Sequence, residues 1–150
     1  MKLKRTLASL GAVAALTLGA LTTGTATAGA AMPNCSGYAK YLDRAGYYVN
    51  IPTDGQQGSN FCAMRRGASG EQVRSLQETL WQCYGQRIDS DGQFGPATET
   101  ALKRVQSALN LSADGVYGPQ TRDALKWNWN LWTTGGHRCL RLTEAPGPLS

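Results

Sequence analysis

Few side chains in this 150-residue sequence have the type and spacing to do covalent or acid–base chemistry. Asp89, Asp91 and Glu99 bring three carboxyls close together, and glycoside cleavage needs one protonated and one ionised carboxyl. Asp91 has a counterpart in Asp114, however, and each precedes a glycine; one turn-forming role explains both copies, where catalysis would explain one. His137 is the sole histidine. It lies in Thr133-Thr134-Gly135-Gly136-His137, a glycine-flanked loop where a solvated ring is the plain reading. No Gly-x-Ser-x-Gly surrounds a serine. The four cysteines, Cys35, Cys62, Cys83 and Cys139, lack Cys-x-x-Cys spacing, and one histidine does not complete a typical zinc cluster. An even count in a small chain reads as two disulfides. Three pairings are open; Cys35 with Cys62 and Cys83 with Cys139 is expected, because it closes an N-terminal loop and ties the tail to the first helix. Each bridge would contribute roughly 2–4 kcal/mol. No catalytic residue, metal ligand or cofactor is assigned.

The elements that position these residues are organised around a repeat. Asp91-Gly92-Gln93-Phe94-Gly95-Pro96-Ala97-Thr98, followed by Ala101-Leu102-Lys103, returns as Asp114-Gly115-Val116-Tyr117-Gly118-Pro119-Gln120-Thr121, followed by Ala124-Leu125-Lys126. Repetition at this spacing marks a repeated supersecondary unit. Asp-Gly makes a turn, the aromatic folds back as an anchor, and proline suits the first helical position, where the missing N–H is no loss. The spacing predicts helices over 96–109 and 119–127. Upstream, Val73, Leu76, Leu80 and Tyr84 follow helical spacing after a Ser69/Gln72 capping-box signal, which predicts a helix over 70–83. Gln77 and Gln106 each follow an apolar residue and read as buried amides that bond the repeat turns.

The doubled Asp-Gly-x-[Phe/Tyr]-Gly-Pro-x-Thr-x-x-Ala-Leu pattern, preceded by Gly70-Glu71-Gln72-Val73-Arg74-Ser75-Leu76-Gln77, closely resembles the bacterial peptidoglycan-binding domain of the type 1 family. The resemblance covers about residues 67–127. It implies an all-α fold, a compact three-helix bundle with two related turn-helix units, and a ligand groove formed by the repeat turns and helix starts. Candidate ligand contacts on those elements are Gln93 and Tyr117 in the turns, Arg104 and Arg122 for wall carboxylates, and Trp127 and Trp129 for stacking on sugars.

Around this unit the chain divides into a signal peptide at 1–30, a disulfide-closed N-terminal segment at 31–66, the domain at 67–127 and a Trp-containing tail at 128–150. Lys2, Lys4 and Arg5, an apolar run from Leu7 to Leu21 and small residues at Ala26, Ala28 and Ala30 are the marks of a secretory signal, with cleavage expected between Ala28 and Ala31. Taking those three basic residues from 15 leaves 12 against 10 acidic, a net charge of +2, far from the density of a nucleic-acid binder. Ser36 to Ala45 fits a short helix with Tyr38, Tyr41, Leu42 and Ala45 on one face, while Tyr47 to Ile51 reads as extended. The four tyrosines of this segment read as cover for the core of a small disulfide loop. Alternation of Trp127, Trp129 and Trp132 suggests an extended segment or an irregular tail.

The function these features imply is that of a secreted, monomeric, non-catalytic module at the cell wall. Its partner would be peptidoglycan, through glycan or stem peptide, with no nucleic acid and no membrane embedding after signal cleavage. Two alternatives come from other classes: a small wall hydrolase using His137 or the carboxylates near Asp91, and an accessory or inhibitor protein that uses the helical scaffold to hold another exported protein.

Overall fold

A computed structural model describes residues 31–55 and 58–146. The expected signal peptide lies outside these residues. The described chain runs β1 Gly37–Leu42, β2 Tyr47–Thr53, α1 Glu71–Tyr84, α2 Pro96–Ala108, α3 Pro119–Ala124, β3 Trp127–Leu131 and β4 His137–Leu140. The four strands form one antiparallel sheet in the order β1-β2-β3-β4. This corrects the all-α expectation: the fold is a mix of sheet and helix.

The segment from Ser36 to Ala45 is a strand and turn, not a helix, and Asp43 explains why. Its Oδ1 accepts the backbone N–H groups of Ala45 at 2.8 Å and Tyr47 at 2.9 Å. Gly46 takes φ 83°, closing a tight hairpin that puts Leu42 opposite Tyr48. Once the turn is fixed, tyrosines that could have lined a helix face pair across β1 and β2, where their rings are well suited. The buried Asp43 carboxylate also receives the Arg138 guanidinium through its second oxygen, and Arg138 lies 3.9 Å from the centroid of the Tyr47 ring. The hairpin is thereby bound to β4, across the intervening β3.

The three helices fall close to their predicted spans, with differences at the ends. The capping box does not form: Gly70 is the N-cap at φ 124°, where a Cβ would meet Gln72 Oε1 at 2.5 Å. The Gln72 amide turns back instead and donates to the Ser69 carbonyl at 2.8 Å and the Cys35 carbonyl at 3.3 Å. The third helix is shorter than predicted. It ends at Ala124, because Leu125 leaves the helical region at ψ 137° and the chain enters β3 at Trp127.

Helix α1 is the centre of the molecule. Val73, Leu76 and Leu80 are buried with Val49 and Ile51 of the sheet, Leu102 and Val105 of α2, and Leu125, Trp127 and Trp129. The pairing of β2 with β3 stops after Tyr47↔Leu131 and Tyr48↔Asn130. Beyond that point Ser75 Oγ donates to the Asn50 carbonyl, and the Asn128 N–H donates to Thr79 Oγ1 at 3.3 Å. Two hydroxyls one helical turn apart thus satisfy strand groups left open by the parted ladder, as buried backbone requires. Two disulfides complete the frame: Cys35–Cys62, and Cys83–Cys139 from the end of α1 to β4. Among the described residues, no helix is long and apolar enough to cross a membrane.

Candidate functional site

The repeat turns are built the same way, each around one glutamine from the preceding helix. Gln77 Nε2 donates to Asp91 Oδ1 at 2.9 Å, the Gln93 carbonyl at 2.9 Å and Thr98 Oγ1 at 3.0 Å, while its Oε1 accepts the Gly92 N–H at 2.8 Å. Gln106 repeats the set: Asp114 Oδ1 at 2.9 Å, the Val116 carbonyl at 2.9 Å and Thr121 Oγ1 at 3.2 Å, with the Gly115 N–H on its Oε1 at 2.9 Å. Both amides are buried and both are fully used. The Asp91 carboxyl is held below the ordinary carboxylate range by the Gln93 N–H first and the Gln77 amide second. Glu99 is lowered too, chiefly by Lys103 at 2.6 Å and then by Arg66 at 2.7 Å.

A single connecting strip backs both turns. The Phe94 N–H donates to the Ala68 carbonyl at 2.9 Å, and Tyr117 exchanges both backbone bonds with Met64, at 2.8 and 2.9 Å. This pairing sets Phe61, Ala63 and Arg65 beside the second turn and forms an open groove of about 470 Å³. Its opposite wall is the second turn and the start of α3, including Val116, Pro119 and Gln120. Phe61 is 58% exposed. Arg65 also lines an adjoining cleft of about 660 Å³ at the start of α1, so the residue borders both.

The candidate contacts named from sequence are not brought together. Gln93 and Arg104 are exposed on the first turn and on α2. Tyr117 and Trp127 are wholly buried, with rings edge to face at 6.0 Å, and burial drives the Tyr117 phenol far above its ordinary pKa. Trp129 is 3% exposed, its indole N–H given to the Leu140 carbonyl. These three rings have no face free for a sugar; they seal the junction between the helices and β3. Arg122 is committed as well. Its guanidinium is paired with Asp123 at 2.7 Å and bonded to the Asn60 side chain at 2.7 Å and carbonyl at 2.8 Å. The groove residues missed by sequence reasoning, Phe61 and Arg65, come from outside the repeat. The available signal was an aromatic next to Cys62 in an otherwise polar loop.

His137 is exposed at the start of β4, and Asp91 is engaged by its own turn. Among the described residues, no group of three or more His, Cys, Asp and Glu side chains is placed to hold a metal ion.

Comparison with known proteins bears on residues 69–125, which match the family model described as "Putative peptidoglycan binding domain". The zinc D-Ala-D-Ala carboxypeptidase of Streptomyces albus G is 48% identical over 52 residues, 33% of this chain and 20% of that protein. The chain therefore spans about a fifth of the length of that curated relative. Among solved structures, the SleB N-terminal domain is 37% identical over 41% of this chain and 85% of that one, with a TM-score of 0.40. A peptidoglycan-binding protein from Clostridioides difficile, solved with glutamine hydroxamate, is 27% identical over 57% of this chain and 54% of that one, with a TM-score of 0.44. Residues 69–125 thus form a domain of the peptidoglycan-binding family, carried in this chain on a disulfide-tied four-stranded sheet.

Proposed function

We propose that this protein is an exported, monomeric, non-catalytic module that holds bacterial cell-wall peptidoglycan in the groove beside its second repeat turn. The observation that carries the reading is the groove itself: a rigid turn locked by Gln106 on one side, an exposed aromatic and a guanidinium on the other. Phe61 offers an apolar face to a sugar ring or a peptide methyl. Arg65 offers a fork of donors suited to a stem-peptide carboxylate. The binding unit is then residues 67–127 completed by Phe61 and Arg65 from the 31–66 segment, with 128–150 as its support. Gln93 and Arg104 are secondary contacts on the first repeat, and the two disulfides fit an oxidising, extracellular location.

The test is co-sedimentation of the oxidised protein with purified peptidoglycan, with soluble fragments measured in the same tube. The expected result is sedimentation without fragment release. Phe61→Ala and Arg65→Ala, both at exposed positions, should each weaken binding about tenfold, which corresponds to about 1.4 kcal/mol. Equal sedimentation by wild type and both variants would remove the groove as the site. Fragment release lost in His137→Ala would turn the reading to a hydrolase.

A further inference from the structure

Outside residues 69–125 the sheet presents an aromatic face that the groove does not use. Trp132, just past the end of β3, is 71% exposed. It is nevertheless held in place, because the Tyr48 ring meets it edge-on with centroids 5.3 Å apart, and Lys40 Nζ lies 4.8 Å from both centroids. The register explains the grouping. Tyr48 sits opposite Asn130 and Lys40 opposite Asn50, so alternation places Lys40, Tyr48, Asn50, Asn130 and Trp132 on one side of three neighbouring strands. An exposed indole fixed by its neighbours loses little freedom when a ligand covers it.

Tyr48 also borders a small recess of about 140 Å³, walled by Asn50, Asn130, Glu71, Arg74 and Glu78. Asn50 lines it, while its Oδ1 is closed off from solvent with no hydrogen-bond donor among the described residues. At about 30 Å³ per water, the recess admits roughly four or five water-sized groups, which suits one substituent of a ring and not a whole ring. Glu71 and Glu78 balance Arg74 and Lys40, so the surface has no net pull on an ion and favours a neutral ligand. An apolar ring face beside amide, carboxylate and guanidinium groups matches the chemistry of an N-acetylated hexosamine.

We propose that the face formed by Trp132, Tyr48 and Lys40 is a second site, which stacks a pyranose ring on Trp132 and admits its acetamido arm beside Asn50. Its ring platform lies on strands β1 to β3, its recess is shared with α1, and neither depends on the groove at Phe61. Its presence would give the chain two separate holds on a glycan-rich surface, and simultaneous engagement would strengthen attachment beyond either hold alone.

The probe is the soluble N-acetylglucosamine tetramer, titrated into the oxidised protein and followed by calorimetry and tryptophan fluorescence. Wild type is expected to bind with a shift in the emission of Trp132. Trp132→Ala should bind about tenfold more weakly and lose the shift, with its melting temperature unchanged. Lys40→Ala, which frees the indole to rotate, should weaken binding less, while Phe61→Ala should keep the Trp132 emission shift. Absence of tetramer binding by wild type, or equal binding by Trp132→Ala, would overturn the proposal. Loss of the Trp132 shift in Phe61→Ala would place the saccharide in the groove and overturn it too.

Discussion

Gln77 and Gln106 each hold one repeat turn through four hydrogen bonds from a single buried amide. Removal of either leaves a glycine N–H without its acceptor, and removal of Gln106 also takes the donor from the Val116 carbonyl; a buried group in that state costs about 1–3 kcal/mol. Gln77→Ala and Gln106→Ala should therefore each lower unfolding free energy by about 3 kcal/mol in urea titrations. Gln106→Ala should also weaken wall binding, because it loosens one side of the groove. Arg122→Ala belongs to the same class. With Asn60 and Asp123 on its guanidinium, the expected loss is about 1–2 kcal/mol of stability, measured by the same titration, and not a selective loss of binding.

Carboxylates make the fold acid-sensitive at this scale. Asp91 and Glu99 have folded pKa values below their unfolded ones, so their stabilisation is complete above the ordinary carboxylate range. It is lost as pH falls through the depressed values, that is, below about pH 4. Asp91→Asn keeps a carbonyl acceptor for Gln77 and Gln93 and should flatten that acid limb in melting curves taken from pH 6 to 2. Glu78 has the opposite sign: desolvation raises its pKa, so its protonation on acidification offsets part of the loss.

At the scale of elements, the boundary between what was legible and what was not follows sequence distance. The helices α1 and α2 declare themselves by apolar spacing and by proline at the first helical position, both local signals. The glutamine locks were legible because the same residue stands at the same place before each turn. The sheet was not, since β2 and β3 lie nearly eighty residues apart and a strand does not name its partner. The alternation of Trp127, Trp129 and Trp132 left an extended segment and an irregular tail both open, and alternation cannot tell a buried face from an exposed one. One wall of the groove, the second turn and helix start, was legible, and the other was not for the same reason: Phe61 and Arg65 reach it through pairing of Met64 with Tyr117. Where α1 parts β2 from β3, hydroxyls replace ladder bonds, and Thr79→Val tests this. The isosteric change removes the acceptor for the Asn128 N–H and should cost about 1–3 kcal/mol by thermal unfolding.

At the scale of the whole molecule, the two disulfides close loops of different size, with partners 27 and 56 residues apart. Loop-closure entropy favours the longer: the Cys83→Ser/Cys139→Ser pair should lose about 4 kcal/mol, slightly more than Cys35→Ser/Cys62→Ser. Calorimetry of the two double variants decides the order.

The same bridges also set how the chain would carry a mechanical load. Tension applied at residue 31 and residue 146 finds a short covalent route: Cys35 to Cys62, along residues 62–83 through α1, then Cys83 to Cys139. Residues 84–138 hang from that route as a slack loop, and both repeat turns, 91–98 and 114–121, lie inside it. A pull on the chain would be borne by sulfur and by one helix, while the turns beside the groove stay unstretched.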